Sequence, residues 1–228
     1  MNMQKILTMK NYHDSIQRQK KSYAFVKRAF DIVFSSIMMI AFLPVCLVVA
    51  VIAAADTKGS PIFIQTRMGR NNRPFRMLKF RTMSVNAPAN VATHKLNHAE
   101  SYISPVGGMI RRLSLDELPQ LINIFKGDMS FIGPRPVVLT ETDLLDLRTQ
   151  NGASAVRPGL TGWAQVNGRD KLTIAEKARL DAYYSRHMSL RVDGKVLLKT
   201  VGYVLRSRDV CEGANPTITA KFSRGRSA

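Results

Sequence analysis

The sequence is short of acid. Asp and Glu total 16 against 34 Lys and Arg, which leaves a formal net charge of +18 over 228 residues. Such an excess calls for an anionic partner: nucleic acid, anionic lipid or a phosphorylated small molecule. Cysteine is nearly missing. Cys46 and Cys211 alone cannot make a disulfide framework, and Cys46, inside an apolar run, reads as a small hydrophobe. Histidine is scarce too. His94 and His98 stand four apart, but the glutamate of an H-E-x-x-H zinc helix is absent, so the pair reads as a surface coincidence. No G-x-x-x-x-G-K-[ST] run occurs, which argues against a P-loop kinase. No Asp-x-Asp pair occurs, which argues against the usual metal-dependent fold of nucleotide-sugar glycosyltransferases. No zinc-finger, RNP or helix-turn-helix pattern occurs either, so the charge is not read as a nucleic-acid footprint.

What is present begins with length. A chain of 228 residues holds one domain of ordinary size with its own core. Residues 1–22 are a polar leader. Lys27 and Arg28 then precede residues 32–55, a run of 24 with no charge. As a straight helix it would reach ~36 Å at ~1.5 Å per residue, against a bilayer core of about 30 Å. Three readings compete: a spanning helix, a signal peptide, and a helix that enters the membrane, breaks at Pro44 and leaves on the same side. The run is too long and starts too late for a signal peptide. Pro44 lacks an N–H and clashes with the preceding turn, so a kink is expected there. Seven basic residues lie in 1–31 and seven in 56–81. Both flanks therefore look cytoplasmic, which favours re-entry, although proline is also common in spanning helices.

Residues 61–65 and 75–81 look like two strands joined by a turn at Gly69-Arg70-Asn71-Asn72-Arg73, a β-hairpin. Lys79 and Arg81, at its end, are candidates for phosphate contact. Residues 84–104 read as a loop or lid. Leu115-Asp116-Glu117-Leu118-Pro119-Gln120 follows, with Arg111 and Arg112 before it and Gly133-Pro134-Arg135-Pro136 after it. Pro119 belongs in a first helical turn. Leu118, Leu121, Ile122 and Phe125 recur as one apolar face, and Gly127 is the stop. Asp116 and Glu117 are thus expected at a helix N-terminus. There Ser114-x-x-Glu117 fits a capping box, and the macrodipole would hold the Asp116 carboxyl below its usual range. Capping and anion binding are both open on this reading.

Residues 157–169 form a Gly-rich loop with the only tryptophan, Trp163. It reads either as a ligand-holding loop or as a structural Ω-loop. Thr173-x-x-Glu176 opens a helix that carries Asp181. Residues 193–207 are amphipathic and basic, suited to the membrane surface or to the core. The whole reads as a mainly α chain with one small β-hairpin, of the α+β class. Its divisions are a leader at 1–22, a membrane helix at 23–59, a catalytic domain at 60–210 and an irregular tail at 211–228.

A resemblance rests on several of these stretches in order. They are Lys27-Arg28-x-x-Asp31, Lys79-Phe80-Arg81-Thr82-Met83, Arg111-x-Leu113-Ser114-Leu115-Asp116-Glu117-Leu118-Pro119-Gln120, Gly127-Asp128-Met129-Ser130, Gly133-Pro134-Arg135-Pro136 and 157–169. Over roughly residues 27–220 they resemble the bacterial sugar transferases, the monotopic polyprenol-phosphate phosphoglycosyl transferases, in their minimal catalytic form. The resemblance implies an enzyme on the cytoplasmic face of the bacterial inner membrane, held by a re-entrant helix broken at Pro44. It would move a sugar 1-phosphate from a UDP-sugar to polyprenyl (undecaprenyl) phosphate and release UMP, a first membrane step of glycan synthesis. It implies Asp116 as nucleophile and Glu117 as ligand of Mg²⁺. Lys79, Arg81, Arg111, Arg135, Arg157, Gln165, Asn167, Arg169 and Asp181 are the candidate substrate contacts. Its partners would be the UDP-sugar, the polyprenyl phosphate and the bilayer, with a second copy of the chain as a further candidate.

Overall fold

A computed structural model describes residues 3–88, 96, 99–168 and 171–206, with the backbone alone at 3–21 and 203–206. Arg169, His94, His98 and the tail 211–228 lie outside the described residues. The architecture is mainly helical with two two-stranded sheets, as the α+β reading expects. Helix α1 runs from Met3 to Ala41 and α2 from Leu43 to Thr57. The leader is thus largely the first half of α1. Among the described residues no single helix is long and apolar enough to cross a membrane. Segments 22–41 and 43–57 meet that test only together, and they are bent by 65°.

The bend falls at Phe42, two residues ahead of Pro44, which sits in the first turn of α2. Proline has no N–H to give the preceding turn. The Cys46 N–H bonds the Phe42 carbonyl at 2.8 Å and starts the new helix. The outer faces of the pair are apolar and uncovered: Phe25, Val33, Ile40, Leu47 and Val51 are all exposed. The inner face is tied to the rest of the chain by polar contacts. Asp31 Oδ1 accepts from Ser130 Oγ and the Phe131 N–H, each at 3.1 Å. Lys27 Nζ lies 2.6 Å from Asp193 Oδ2. Arg28 donates to the carbonyls of Ile124 and Phe125, the last turn of α4 (Gln120–Lys126).

Strands β1 (Ile62–Met68) and β2 (Pro74–Phe80) pair antiparallel, Gln65 opposite Met77, as the hairpin reading expects. Asn71 and Asn72 both take positive φ at the turn, a conformation Asn accepts more readily than most residues. The buried Asn123 stitches α4 to β2. Its Oδ1 accepts from the Leu78 N–H and its Nδ2 donates to the Arg76 carbonyl. The main core gathers Met77, Leu121, Ile124, Met129, Ile132, Val166, Tyr184 and Val196. A second cluster joins Val49 of α2, Phe80 of β2 and Ile110 of α3 (Pro105–Arg112), with Leu115 and Leu118 against it.

The second sheet is parallel, β3 (Ser130–Ile132) beside β4 (Gly159–Thr161). Only glycines fit where it ends. A Cβ on Gly159 would lie 2.1 Å from the Gly133 nitrogen, and one on Gly162 2.0 Å from the Gly133 oxygen. This contact fixes the turn that carries Arg135. Helices α5 (Thr142–Asn151) and α6 (Ile174–His187) pack beside it, and α7 (Leu190–Arg206) is the last described element. The expected Thr173–Glu176 capping box is formed in full.

Candidate active site

Asp116 and Glu117 do not sit at an α-helix N-terminus. They form a 3₁₀ turn, Leu115–Glu117, one turn ahead of α4, with Pro119 as the residue before Gln120. The expected capping box is not made. Ser114 takes φ 57° and its side chain caps nothing. That left-handed residue costs about 1 kcal/mol or more for a non-glycine. It reverses the chain after α3, so Asp116 turns inward and is buried. The expected apolar face of α4 is also shifted. Leu121 and Ile124 are buried, while Ile122 and Phe125 are exposed, because Asn123 takes a place on the inner side. The Gly127 stop is as expected, with φ 95°.

Four of the candidate residues converge. Lys79 Nζ lies 2.8 Å from Glu117 Oε1 and 3.6 Å from Asp116 Oδ2. Arg135 Nη2 lies 3.3 Å from the same Glu117 oxygen. Burial alone pushes Glu117 up, but Lys79 and Arg135, by charge and hydrogen bond, outweigh it and hold the carboxyl at about 2. Asp116 goes the other way, against the expectation of a depressed value. Burial pushes it up and the Glu117 charge adds to this, with Lys79, Arg111 and Arg135 pulling against them. Arg111 thus joins the group as a charge acting on Asp116. The adjacent acids are driven apart: one fully ionised, the other desolvated and held among cations. A desolvated carboxylate is a better nucleophile than a hydrated one, and the surrounding cations suit a phosphate.

A divalent metal can be tested against this donor set. Both cation contacts of Glu117 use Oε1. All donors are hard carboxylate oxygens, and among the described residues no group of three or more His, Cys, Asp or Glu is assembled. Mg²⁺ commonly takes one or two carboxylates and fills its shell with water and substrate phosphate. Such an ion asks only one carboxylate of the protein, which Glu117 would supply.

The other described candidates make no hydrogen bond or ion pair with either acid. Arg81 donates to the Ser60 carbonyl and lies over the Phe63 ring. Arg157 donates to the Gly127 carbonyl, beyond the far end of α4. Gln165 Nε2 bonds the Leu160 carbonyl, while its Oε1 is buried without a partner. Asn167 bonds the Trp163 carbonyl and accepts from Lys199. Asp181 is buried against Arg148, at 2.6 and 2.9 Å. Arg148 also donates to the Arg135 carbonyl at 3.0 Å. Asp181 therefore acts on the site through Arg148 and the backbone of Arg135. Sequence reasoning missed Arg148 and Asn123. The only signal for Arg148 was a charge four residues from Leu144, on one helix face.

A family model described as bacterial sugar transferase matches residues 22–207. Relatives are similar over most of the chain. The UDP-N-acetylgalactosamine-undecaprenyl-phosphate N-acetylgalactosaminephosphotransferase of Aeromonas hydrophila is 38% identical over 80% of this chain and 44% of its own length. The exopolysaccharide production protein ExoY of Rhizobium meliloti is 37% identical over 80% of this chain and 86% of its own. The UDP-glucose:undecaprenyl-phosphate glucose-1-phosphate transferase of Escherichia coli is 36% identical over 77% of this chain and 39% of its own. The chain therefore spans less than half of the Aeromonas and Escherichia relatives and most of the Rhizobium one.

Proposed function

This chain belongs to the bacterial sugar transferase family, and on that premise we propose that it transfers a sugar 1-phosphate from a UDP-sugar to undecaprenyl phosphate. The observation that carries the reading is the buried Asp116 beside Glu117, with Lys79 reaching both acids and Arg135 reaching Glu117. An Asp116 oxygen attacks the phosphorus that bears the sugar. The bond from that phosphorus to the bridging oxygen breaks, UMP leaves with the electron pair, and a phosphosugar is left on Asp116. A phosphate oxygen of the lipid then attacks the same phosphorus and restores the carboxylate. The product is a lipid diphosphate sugar. Neither step needs a proton acceptor, since both nucleophiles are anions; positioning and charge neutralisation are the work of the site. Lys79 and Arg135 screen the repulsion between nucleophile and diphosphate. Glu117 would hold Mg²⁺, which when bound neutralises charge on the diphosphate.

The membrane reading rests on the bent pair. Its outer surface exposes far more contiguous apolar side chain than a water-facing surface normally carries. A helix that dips in and returns covers that surface and leaves both ends on the cytoplasmic side of the bacterial inner membrane. Val49 of α2 shares one apolar cluster with Phe80 and Ile110, against which Leu115 and Leu118 pack, so the dyad turn is joined to the membrane segment through that cluster. That suits a reaction between a soluble nucleotide sugar and a lipid phosphate.

UMP release from a panel of UDP-sugars, with purified protein, undecaprenyl phosphate and Mg²⁺, tests the activity. Turnover on at least one sugar and its loss in Asp116→Asn are expected; no turnover on any sugar, or full activity in the variant, refutes the reading. For topology, single cysteines replacing Ser22 and Asn71 in a Cys46→Ser, Cys211→Ser background are expected to label from the same side of the membrane. Labelling from opposite sides would sink re-entry.

A further inference from the structure

We propose that the cleft between α1 and the segment 155–157 is a second anion site, in which Arg28, Arg70 and Arg157 hold a phosphate oxyanion. The cleft, open to solvent, is lined by Lys27, Arg28, Asp31, Arg70, Arg157 and Tyr184, among others. Each of the three guanidiniums spends hydrogen bonds on backbone carbonyls. Arg28 uses those of Ile124 and Phe125, Arg70 that of Ala155, and Arg157 that of Gly127. Among the described residues none of the three has a carboxylate as ion-pair partner. The nearby acids are committed: Asp193 to Lys27, Tyr23 and Tyr184, and Asp31 Oδ1 to Ser130 and Phe131. Three forks therefore gather around a cavity that holds one carboxylate, Asp31, so three guanidinium charges and Lys27 face a single negative charge. Burial, and then Arg28 and Arg70, push the Arg157 guanidinium below its ordinary value, with Asp31 pulling the other way and outweighed. An anion in the cleft relieves this excess of positive charge, and a phosphate offers each guanidinium the paired oxygens it binds best.

The cleft is not the Asp116 site. Arg28 and Arg157 grip carbonyls at the C-terminal end of α4. The dyad precedes its N-terminal end, and seven helical residues put roughly 10 Å between the two. The cleft opens where α1 passes from Lys27 and Arg28 to an uncovered apolar surface at Phe25, Val26 and Phe30. That level suits the phosphodiester of an anionic phospholipid headgroup. A free phosphate has the same recognising chemistry, and the test separates the two.

Thermal unfolding of the detergent-purified full chain is followed while dioctanoyl phosphatidylglycerol, dioctanoyl phosphatidylcholine or inorganic phosphate is titrated at fixed ionic strength. A ligand of the folded state raises the midpoint in a saturable way. A saturable rise with phosphatidylglycerol and none with phosphate assigns the site to a lipid headgroup. The reverse assigns it to a soluble phosphate, and a rise with both supports the site for either source. Arg70→Gln and Arg157→Gln are expected to weaken the apparent affinity about tenfold, the scale of one charged hydrogen-bonded contact. Arg179→Gln, an exposed cation on α6, is expected to leave it unchanged. Arg70 is itself exposed on the hairpin turn, so its variant remains informative if Arg157→Gln does not fold. No saturable rise with phosphatidylglycerol or phosphate, or equal affinity in Arg70→Gln and Arg179→Gln, overturns the proposal.

Discussion

Replacing Arg148 with Met should damage the protein in two separable ways. The Arg148–Asp181 pair is buried, with side-chain exposures of 10% and 1% and contacts of 2.6 and 2.9 Å. Removing one partner leaves the Asp181 carboxylate desolvated and alone. Breaking such a pair costs about 3–5 kcal/mol, whereas replacing both partners by apolar groups of similar size is often neutral or better. In a chain of this length 1 kcal/mol moves the unfolding midpoint by about 2–4 °C. Arg148→Met should therefore lower it by roughly 6–20 °C, and adding Asp181→Leu should recover most of that loss. Activity should not follow. Arg148 also holds the Arg135 carbonyl at 3.0 Å, and neither Met nor Leu replaces that bond. Differential scanning fluorimetry and the UMP assay on both variants separate the effects. A single variant within about 1 kcal/mol of wild type would refute the burial argument. A double variant with full stability and full turnover would refute the positioning role of Arg148.

Two further outcomes are expected. Because Asp116 lies above its ordinary 3.8, the acid limb of the rate profile should sit above that pH, rising as the carboxyl ionises. Lys79→Met should move the limb higher and lower the plateau, since Lys79 is the strongest of the cations pulling Asp116 down; an unmoved limb would contradict the assigned coupling. Gly162→Ala should cost about 3 kcal/mol, at the upper end of overpacking penalties, because its Cβ meets backbone at 2.0 Å. Gly194→Ala, inside α7 with nothing within 4 Å, should stabilise by about 1 kcal/mol. Equal midpoints for the two alanine variants would contradict this contrast.

The hairpin, the Thr173–Glu176 cap and the Gly127 stop were legible because each depends on near neighbours in sequence. The region of the break between α1 and α2 was legible for the same reason, since proline acts on its own turn. Phasing within α4 was not. Asn123 has no reason to face inward until β2 offers it a carbonyl and an N–H, and that partnership spans more than forty residues. Its inward turn is what exposes Ile122 and Phe125. The dyad was found as a pair of acids among arginines. Its surroundings came from elsewhere in the chain: Lys79 from a strand, Arg135 from a turn shaped by glycine-to-glycine contact. The partners of Arg157, Asn167 and Asp181 were hidden in the same way, since Gly127, Lys199 and Arg148 lie about thirty residues from them in sequence. The upward shift of Asp116 was hidden as well, because burial belongs to the fold and a sequence displays only the neighbouring charges.

The central claim is that Asp116 takes up the phosphosugar before the lipid arrives. The direct measurement is rapid-quench UMP release on mixing enzyme, Mg²⁺ and the accepted UDP-sugar with no polyprenyl phosphate present. The account predicts a burst of UMP approaching one equivalent of enzyme. A matching sugar-phosphate adduct should appear on the peptide that holds Asp116, and both should vanish in Asp116→Asn. UMP release only when the lipid is added, with no adduct at any quench time, would contradict it and point to direct transfer between the two substrates.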